Sequence, residues 1–394
     1  MEKSNKVISI HDGLIQNENF IIFGEDFERH PHALEHLLRP LFTKNNFIWV
    51  ETIGLRSPKF NIYDLKRIIE KLKKWTFTRY KPNQFKKRTT KDNFIVISPF
   101  MIPFNQYAII RKFNQWNVTS SIKNIIKRKK IKAPISIASV PNAGDYIGHF
   151  KEQLKIYYCV DEFSLWPGLN KKLVENLENK LIQNVDLIIA TSEYLYLSKK
   201  APGVSTSLLT HGVDLEHFSI GPLKSKNKSL RLCYFGLFDE RSDQFILKSI
   251  AEAIPQCEIH IFGKIACDIK QLKPHNNIIF HGNINYHDLP KVISTMDIFL
   301  LPYIRNKLTD NINPLKLKEY LSTGRPVFAT ELPEVVKFSD YLYLAKTPQD
   351  FISLIKCYEE TPHLFYSDKA HRYMKTNETW MAKSKTLSRL IYQF

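Results

Sequence analysis

No apolar run in the 394-residue chain approaches the roughly 18 residues that a membrane-spanning helix requires, so no transmembrane segment is expected. The opening MEKSNKVISIHDGL holds neither a long apolar stretch nor a small-residue cleavage site, and the expected location is the cytoplasm. Cysteine is scarce. The five residues Cys159, Cys233, Cys257, Cys267 and Cys357 are odd in number and form no Cys-x-x-Cys pair, which argues against a disulfide framework and against a zinc knuckle. Buried, reduced thiols are the expectation. Short-period repeats are lacking, and so are acidic residues over a long basic stretch: from Arg111 to Lys132 there are eight Lys or Arg and no Asp or Glu.

What is present fits a soluble globular protein, with 43% apolar and 24% charged residues. The length suggests two domains of nearly equal size. The net charge of +18 is concentrated, because Asp64–Lys91 adds eleven basic residues against two acids to the eight just described. A basic patch confined to one part of a chain calls for a polyanionic partner: nucleic acid, an anionic membrane surface or a phosphorylated substrate.

Short apolar runs alternate with helical patterns, which predicts a doubly wound α/β fold. The first series of strands is expected at Phe20–Phe23, Phe47–Val50, Phe94–Ser98, Ile135–Ala138, Ile156–Cys159, Leu187–Ala190 and Ser207–Thr210. Leu34, Leu37, Leu38 and Leu41 recur at helical spacing between the first two, giving a βαβ unit. After Gly221–Pro222 and the polar stretch Lys224–Ser229 the rhythm restarts, at Leu230–Phe235, Glu258–Phe262, Asn277–His281, Ile298–Pro302 and Val327–Thr330. The expected division is therefore an N-terminal domain over 1–222, a C-terminal domain over 223–375 and a last helix, near Thr376–Tyr392, returning to the first domain.

The most informative segment is Asn313-Pro-Leu-Lys-Leu-Lys-Glu-Tyr-Leu-Ser-Thr-Gly-Arg-Pro326, which reads as a loop, a helix and the turn into a strand. Pro314 suits a helix start. The amide groups and dipole of that N-terminus, beside Leu315 and the charge of Lys316, form an anion site suited to a diphosphate. Glu319, one turn later, can accept hydrogen bonds from paired ribose hydroxyls. Gly324 is expected to close the helix in a left-handed conformation.

This segment resembles the donor-binding helix of GT-B glycosyltransferases, including bacterial enzymes of exopolysaccharide and teichuronic acid assembly. Further stretches resemble that group in order: Phe23-Gly-Glu-Asp-Phe-Glu-Arg-His-Pro31, Trp49–Arg56, Tyr157-Tyr-Cys-Val-Asp-Glu-Phe163, His211–Phe218, Tyr234-Phe-Gly-Leu-Phe-Asp-Glu-Arg241 and Asp297–Tyr303. The resemblance implies two facing Rossmann-like domains with an interdomain cleft, and transfer of a sugar from a nucleotide-diphosphate sugar, with UDP as carrier. It places Gly236, Arg241, Tyr303, Asn313, Pro314, Leu315, Lys316 and Glu319 at the donor. It also implies a saccharide acceptor, with a polyprenyl diphosphate as the candidate anchor.

Two departures stand out. Many retaining members pair the ribose-binding Glu with another Glu across seven intervening residues, and that place is Asn311 here. Where many members carry Arg and then Lys after the glycine, this chain has Leu237 and, later, Arg241. Retaining chemistry is thereby put in question, and an inverting transfer needs a general base for the acceptor hydroxyl. Asp161 is the candidate. It follows the strand Ile156–Cys159, at the sheet edge where such folds bind ligands, and it resembles the catalytic aspartate position of the xanthan glucuronosyltransferase group. A helix-capping role for Asp161 or Glu162 is the alternative.

Glu25, Asp26, Arg29 and His30 occupy the first βα loop. Helix capping accounts for the two acids, whereas Arg29 and His30 are candidates for acceptor or phosphate contacts. His211 is expected to order the hinge rather than to transfer protons, with Gly212 serving its turn. Asp-x-Asp, by which GT-A-type transferases hold a metal on the diphosphate, occurs nowhere. The expectation is catalysis without metal or cofactor, the leaving group being stabilised by Lys316 and the helix dipole.

Leu65, Ile68, Ile69, Leu72 and Trp75 alternate with lysines at helical spacing, as in a membrane-surface helix, and Ile122–Lys130 has the same character. Packing of those apolar faces on the sheet is the alternative. The two stretches suggest a peripheral protein on the anionic inner leaflet of the plasma membrane. Nucleic acid is not expected, since Trp75, Phe77, Phe113 and Trp116 fit helical packing better than a stacking platform. A sugar-nucleotide epimerase or a phosphorylase can share the fold, because fold does not fix function.

Overall fold

The computed structural model describes residues 9–28, 32–52, 93–221, 229–365 and 368–394. The chain folds as two compact units, Met1–Thr210 with Ser384–Phe394, and His211–Lys383. The units therefore meet in the chain at Thr210/His211, twelve residues before the boundary read from the sequence. The basic helix expected near residues 65–75 lies outside the described residues, as do Arg29, His30 and residues 222–228 before the second series of strands.

In the first unit seven parallel strands form one sheet: β3 (Asn19–Gly24), β4 (Asn46–Glu51), β5 (Phe94–Ile97), β6 (Ile135–Ala138), β7 (Leu154–Cys159), β8 (Leu187–Ala190) and β9 (Ser205–Leu208). Their order is β5-β4-β3-β6-β7-β8-β9, so the chain winds outward from β3 to one edge and then from β6 to the other. The central strands are apolar without alternation. Phe20–Phe23, Phe47–Val50 and Ile156–Cys159 are almost wholly buried, as expected where helices cover both faces of a parallel sheet.

The second unit repeats the plan with β10 (Arg231–Phe235), β11 (Glu258–Phe262), β12 (Ile278–Gly282), β13 (Ile298–Leu301), β14 (Val327–Thr330) and β15 (Tyr343–Ala345). Its order is β12-β11-β10-β13-β14-β15, again all parallel, with the change of direction between β10 and β13. In such sheets ligands bind beyond the carboxyl ends of the strands at that change of direction.

Three strands went unread in the sequence. β1 (Ser9–His11) and β2 (Leu14–Gln16) form a hairpin whose two turn residues, Asp12 and Gly13, have φ of 54° and 79°. Asp-Gly is the residue pair that such a two-residue turn favours. β15 is a three-residue edge strand. The edge strand β9 lies two residues earlier than expected, at Ser205 rather than Ser207, where partial exposure weakens the apolar signal.

The last helix, read near Thr376–Tyr392, runs over Trp380–Tyr392, and a separate helix, Asp368–Asn377, precedes it. Between them Glu378 and Trp380 exchange backbone hydrogen bonds with Val213, at 2.8 and 3.3 Å, and this strand-like bridge separates the two helices. The second helix begins in the second unit, and from Ser384 onward it belongs to the first. There Ser384 donates to the carbonyl of Leu37, and Ser388 accepts from the Ile15 amide at 3.2 Å. Among the described residues no helix is long and apolar enough to cross a membrane.

Candidate functional site

Two loops flank the change of direction in the second sheet, one after β10 and one after β13. They are stitched together: the Asp243 amide donates to Pro302 O at 2.7 Å, and Ile304 donates to Arg241 O at 2.8 Å. Gly236, Arg241 and Tyr303, read separately from the sequence, are thereby brought to one place.

The helix Leu315–Ser322 enters that place with its N-terminus. Pro314 is the residue before the first turn, with extended backbone and no side-chain cap, so the first amides of the helix have no capping acceptor from it. Lys316 reaches back over Gly236. Its Nζ donates to Tyr234 Oη and, at 2.6 Å, to Leu237 O, while lying 4.2 Å from the Tyr234 ring centroid. The path exists only because residue 236 is glycine: a Cβ there would overlap Lys316 Cε and lie 3.2 Å from Nζ, and its φ of 108° is strained for any other residue. Gly263, at the end of β11, has φ of 131° and is required for the same reason, since a Cβ would run into the Gly236 carbonyl. Tyr320 fixes the helix on the sheet by accepting from the Phe235 amide at 3.1 Å and donating to the Phe235 carbonyl at 3.0 Å.

Burial, reinforced by the charge of Arg241, lowers Lys316 from its ordinary value to about 7; Asp239 and Glu319 oppose the shift. Burial also raises Glu319 to about 7, with Lys316 pulling it down and Asp214 adding to the rise. A lysine and a glutamate one turn apart thus both titrate near neutrality. Arg241 is held by Asp239 through three nitrogen–oxygen contacts of 2.7 to 3.1 Å, and stands 6.0 Å from the ring of Tyr303. Burial raises the Tyr303 hydroxyl to about 12, so it stays protonated.

Asn313 and Asn311 are buried beside the helix start. Asn313 Nδ2 donates to Glu334 Oε2 at 2.9 Å, whereas its Oδ1 has no hydrogen-bond partner among the described residues. Gly324 closes the helix with φ of 72°, the left-handed conformation read from the sequence.

In the first unit Asp161 stands half-buried just beyond the carboxyl end of β7. Neither it nor Glu162 caps a helix. The following short turn of helix has no side-chain cap at Glu162, and the helix Lys171–Asn184 is capped by Asn170, which accepts from Leu173 N. Glu162 is instead shared out: Lys199 bridges it at 2.6 Å to Glu178 at 2.8 Å, and Tyr157 donates to Glu178 at 2.7 Å. Burial pushes Glu162 up, but the bonds from Lys199 and Ser164 outweigh it and hold the carboxyl below its ordinary range.

Glu25 and Asp26 lie after β3, exposed and half-buried respectively. The capping role expected of them belongs to His32, which accepts from Glu35 N at 3.4 Å at the start of the helix Ala33–Leu38. In the His211–Phe218 motif only the glycine takes a part different from the one expected. His211 is buried, and burial lowers it to about 3, so it stays neutral. Gly212 has no turn to serve; a Cβ there would overlap Trp380. Of the five thiols, all free, Cys159, Cys233 and Cys257 are buried, but Cys267 is half-buried and Cys357 exposed.

Residues 229–358 match the family described as Glycosyl transferases group 1. The second unit carries a group 1 glycosyl transferase domain. Over 224 residues, 50% of this chain, the sequence is 27% identical to the putative teichuronic acid biosynthesis glycosyltransferase TuaH of Bacillus subtilis (strain 168); the aligned part spans 56% of that relative's length. Among solved structures, Anabaena Alr3699/HepE in complex with UDP-glucose superposes with a TM-score of 0.65 and 12% identity, covering 95% of this chain and 100% of the other. The sucrose-phosphate synthase of Thermosynechococcus elongatus gives a TM-score of 0.68 at 13% identity, covering 96% and 99%. These likenesses show the fold, two parallel-sheet α/β domains of the GT-B class.

Several residues of the glycosyl transferase domain that shape its site escaped the sequence reading. Tyr234 and Asp239 lay inside a quoted motif, but nothing in the pattern said that one would hold Lys316 and the other Arg241. Gly263 carried a signal, a glycine directly after an apolar strand. Lys318 carried a contrary one, since a lysine at a helical position is ordinarily solvated, yet it is 1% exposed.

Proposed function

We propose that the chain is a glycosyltransferase that takes a sugar from a nucleotide-diphosphate sugar, with UDP as carrier, and passes it to a saccharide precursor of the cell envelope, held on a polyprenyl diphosphate. The observation that carries this is Lys316 laid across Gly236 at the N-terminus of Leu315–Ser322, with Glu319 one turn further along. A cation and a helix start without a side-chain cap suit a diphosphate, and a carboxylate one turn later suits the ribose hydroxyls. The solved Anabaena structure with UDP-glucose and the teichuronic acid relative support the carrier and the acceptor class.

In this proposal the acceptor hydroxyl gives its proton to the Asp161 carboxylate while its oxygen attacks the anomeric carbon. The bond from that carbon to the diphosphate breaks, and its electron pair leaves with the nucleotide. Lys316 and the helix N-terminus stabilise the charge that develops there, which needs no metal ion. Asn313 Oδ1 is available to accept a hydrogen bond from a hydroxyl of the donor. Arg241 lends positive charge near the diphosphate, and Glu25, Asp26, Arg29 and His30 are assigned to the acceptor or to a phosphate. The enzyme acts at the cytoplasmic face of the membrane.

A thermal-shift series over UDP-, GDP- and ADP-sugars tests the donor, because a ligand that binds only the folded state stabilises it by an amount set by concentration over Kd. The expected result is stabilisation by UDP and UDP-sugars. Release of UDP without an acceptor, at the rate seen with one, would point to hydrolysis instead, and conversion of the donor sugar with no release of UDP would point to epimerisation.

A further inference from the structure

The helix Ala108–Lys129 has a face that the sheet does not use. Asn114, Val118, Thr119, Ile122 and Ile125 are buried, which accounts for one side. On the opposite side Ile109 is 83% exposed, Trp116 64% and Phe113 39%, and Tyr107 just ahead of the helix is 58% exposed. The expectation that Phe113 and Trp116 serve as packing residues is therefore corrected. They touch each other, with ring centroids 6.2 Å apart, on the outside of the unit.

At 100° per residue Ile109, Phe113, Trp116, Lys123 and Lys127 all fall within a sector of about 80°, along about 27 Å of helix. The apolar residues take the first half of this stripe and the exposed lysines the second, with Lys112 and Lys130 at its margin. No acidic residue occurs from Arg111 to Lys132. Asp145, the carboxylate packed beneath the helix, is buried and already engaged by Arg111 at 3.3 Å and Lys180 at 2.6 Å. The face therefore offers positive charge with no carboxylate of its own helix to offset it.

We infer that this stripe is a docking surface for an anionic lipid bilayer, with Ile109, Phe113 and Trp116 entering the interface and Lys123 and Lys127 lying over the headgroups. Scattered exposed apolar residues need no explanation, but three on one helical face do. A protein partner would satisfy the apolar half. The charge half decides for lipid: a flat, negatively charged surface attracts lysines spread along the whole helix, while aromatic side chains settle at the headgroup level. The inference does not depend on the donor site, which lies in the other unit.

The test is co-sedimentation of the full chain with vesicles of phosphatidylcholine and with vesicles of phosphatidylcholine mixed with phosphatidylglycerol. Binding to the anionic vesicles should be at least about tenfold stronger and should weaken as salt is raised. Ile109→Ser with Trp116→Ser, and separately Lys123→Glu with Lys127→Glu, should each lower it by about tenfold, with the melting temperature and its UDP-induced shift unchanged. A blue shift of tryptophan emission on binding should be lost in Trp116→Phe. Variants that bind like the parent chain, or equal and salt-insensitive binding to both vesicles, would overturn the inference. So would a parent chain that is dimeric without lipid and turns monomeric in the serine variant, because the stripe would then be covered by a second copy. Loss of the UDP shift in the parent chain would count against the donor site alone.

Discussion

Lys318 Nζ, buried in the second unit, is shared between Glu378 Oε2 at 2.5 Å and the carbonyl of His211. Glu378 has a second partner in Lys383, at 2.8 Å. The helix Leu315–Ser322 is thus tied from its hidden side to the first residue of its unit and to the turn before the last helix. Lys318→Met should cost about 2 kcal/mol, less than the roughly 3 to 5 usual for a broken buried pair because Lys383 still serves Glu378. Burial lowers Lys318 to about 8, against the pull of Glu378. Glu378→Gln should therefore destabilise more below about pH 8 than above it, where Lys318 can shed its proton. Denaturant unfolding across that range measures both.

Gly236→Ala should abolish the donor site while Lys316→Met only weakens it. The alanine brings a Cβ into Lys316 and a positive φ that it tolerates poorly, so the lysine is displaced and the loop with it. Removing the charge alone should lower kcat/KM by about 100-fold to 1000-fold, the range for losing one preorganised stabiliser of a leaving group. Steady-state kinetics with UDP affinity measured in parallel separates the two.

UDP affinity should be greatest near pH 7. Above about 7 the free Lys316 loses its proton, so binding a diphosphate must take one up, and affinity should fall by up to tenfold per pH unit. Below about 7 Glu319 is protonated and accepts less well from ribose hydroxyls. Stability of the empty site runs the other way. Glu319, raised in the fold, contributes most below its ordinary value of 4.5 and loses that contribution as pH climbs through about 7. Lys316, lowered in the fold, costs most below about 7 and is relieved as pH rises toward its ordinary 10.5. The gain in melting temperature from UDP should peak near neutrality. Calorimetry in buffers of different ionisation enthalpy would reveal the proton uptake.

Asp161→Asn and Glu162→Gln, neighbours in sequence, should fail in different ways. The first should lower kcat by about 100-fold to 10,000-fold with UDP affinity and melting temperature kept, as for loss of a general base. The second leaves Lys199 with one carboxylate fewer and should lower stability, with a smaller effect on turnover. A normal kcat in Asp161→Asn would remove it from the mechanism.

Turnover should survive EDTA and gain nothing from magnesium, because Lys316 and the helix start supply the charge that a metal would. Full loss with EDTA and recovery with magnesium would contradict this.

Most strands could be read directly. β3, β4, β7 and β13 are apolar runs because both faces of a parallel sheet are covered, and that pattern survives in the sequence whatever the strand order. The short edge strands β9 and β15 were misplaced or missed, since their exposed residues carry no such run. Asn313–Pro326 was equally legible, because a helix start, a lysine and a glutamate one turn apart are local features. Which glycine Lys316 would cross was not.

The sequence alone determined that this protein has two parallel α/β units and that a helix with Lys316 and Glu319 one turn apart starts after Pro314 in the second. Only the tertiary structure decided that β10 and β13 are neighbours, which brings Gly236, Arg241, Tyr303 and Lys316 to one sheet edge. It alone decided that Lys318 is buried and Trp116 exposed. The reason is physical: periodicity along the chain fixes which residues share a helix face or a strand, while the covering of a face depends on crossovers that join segments far apart in sequence.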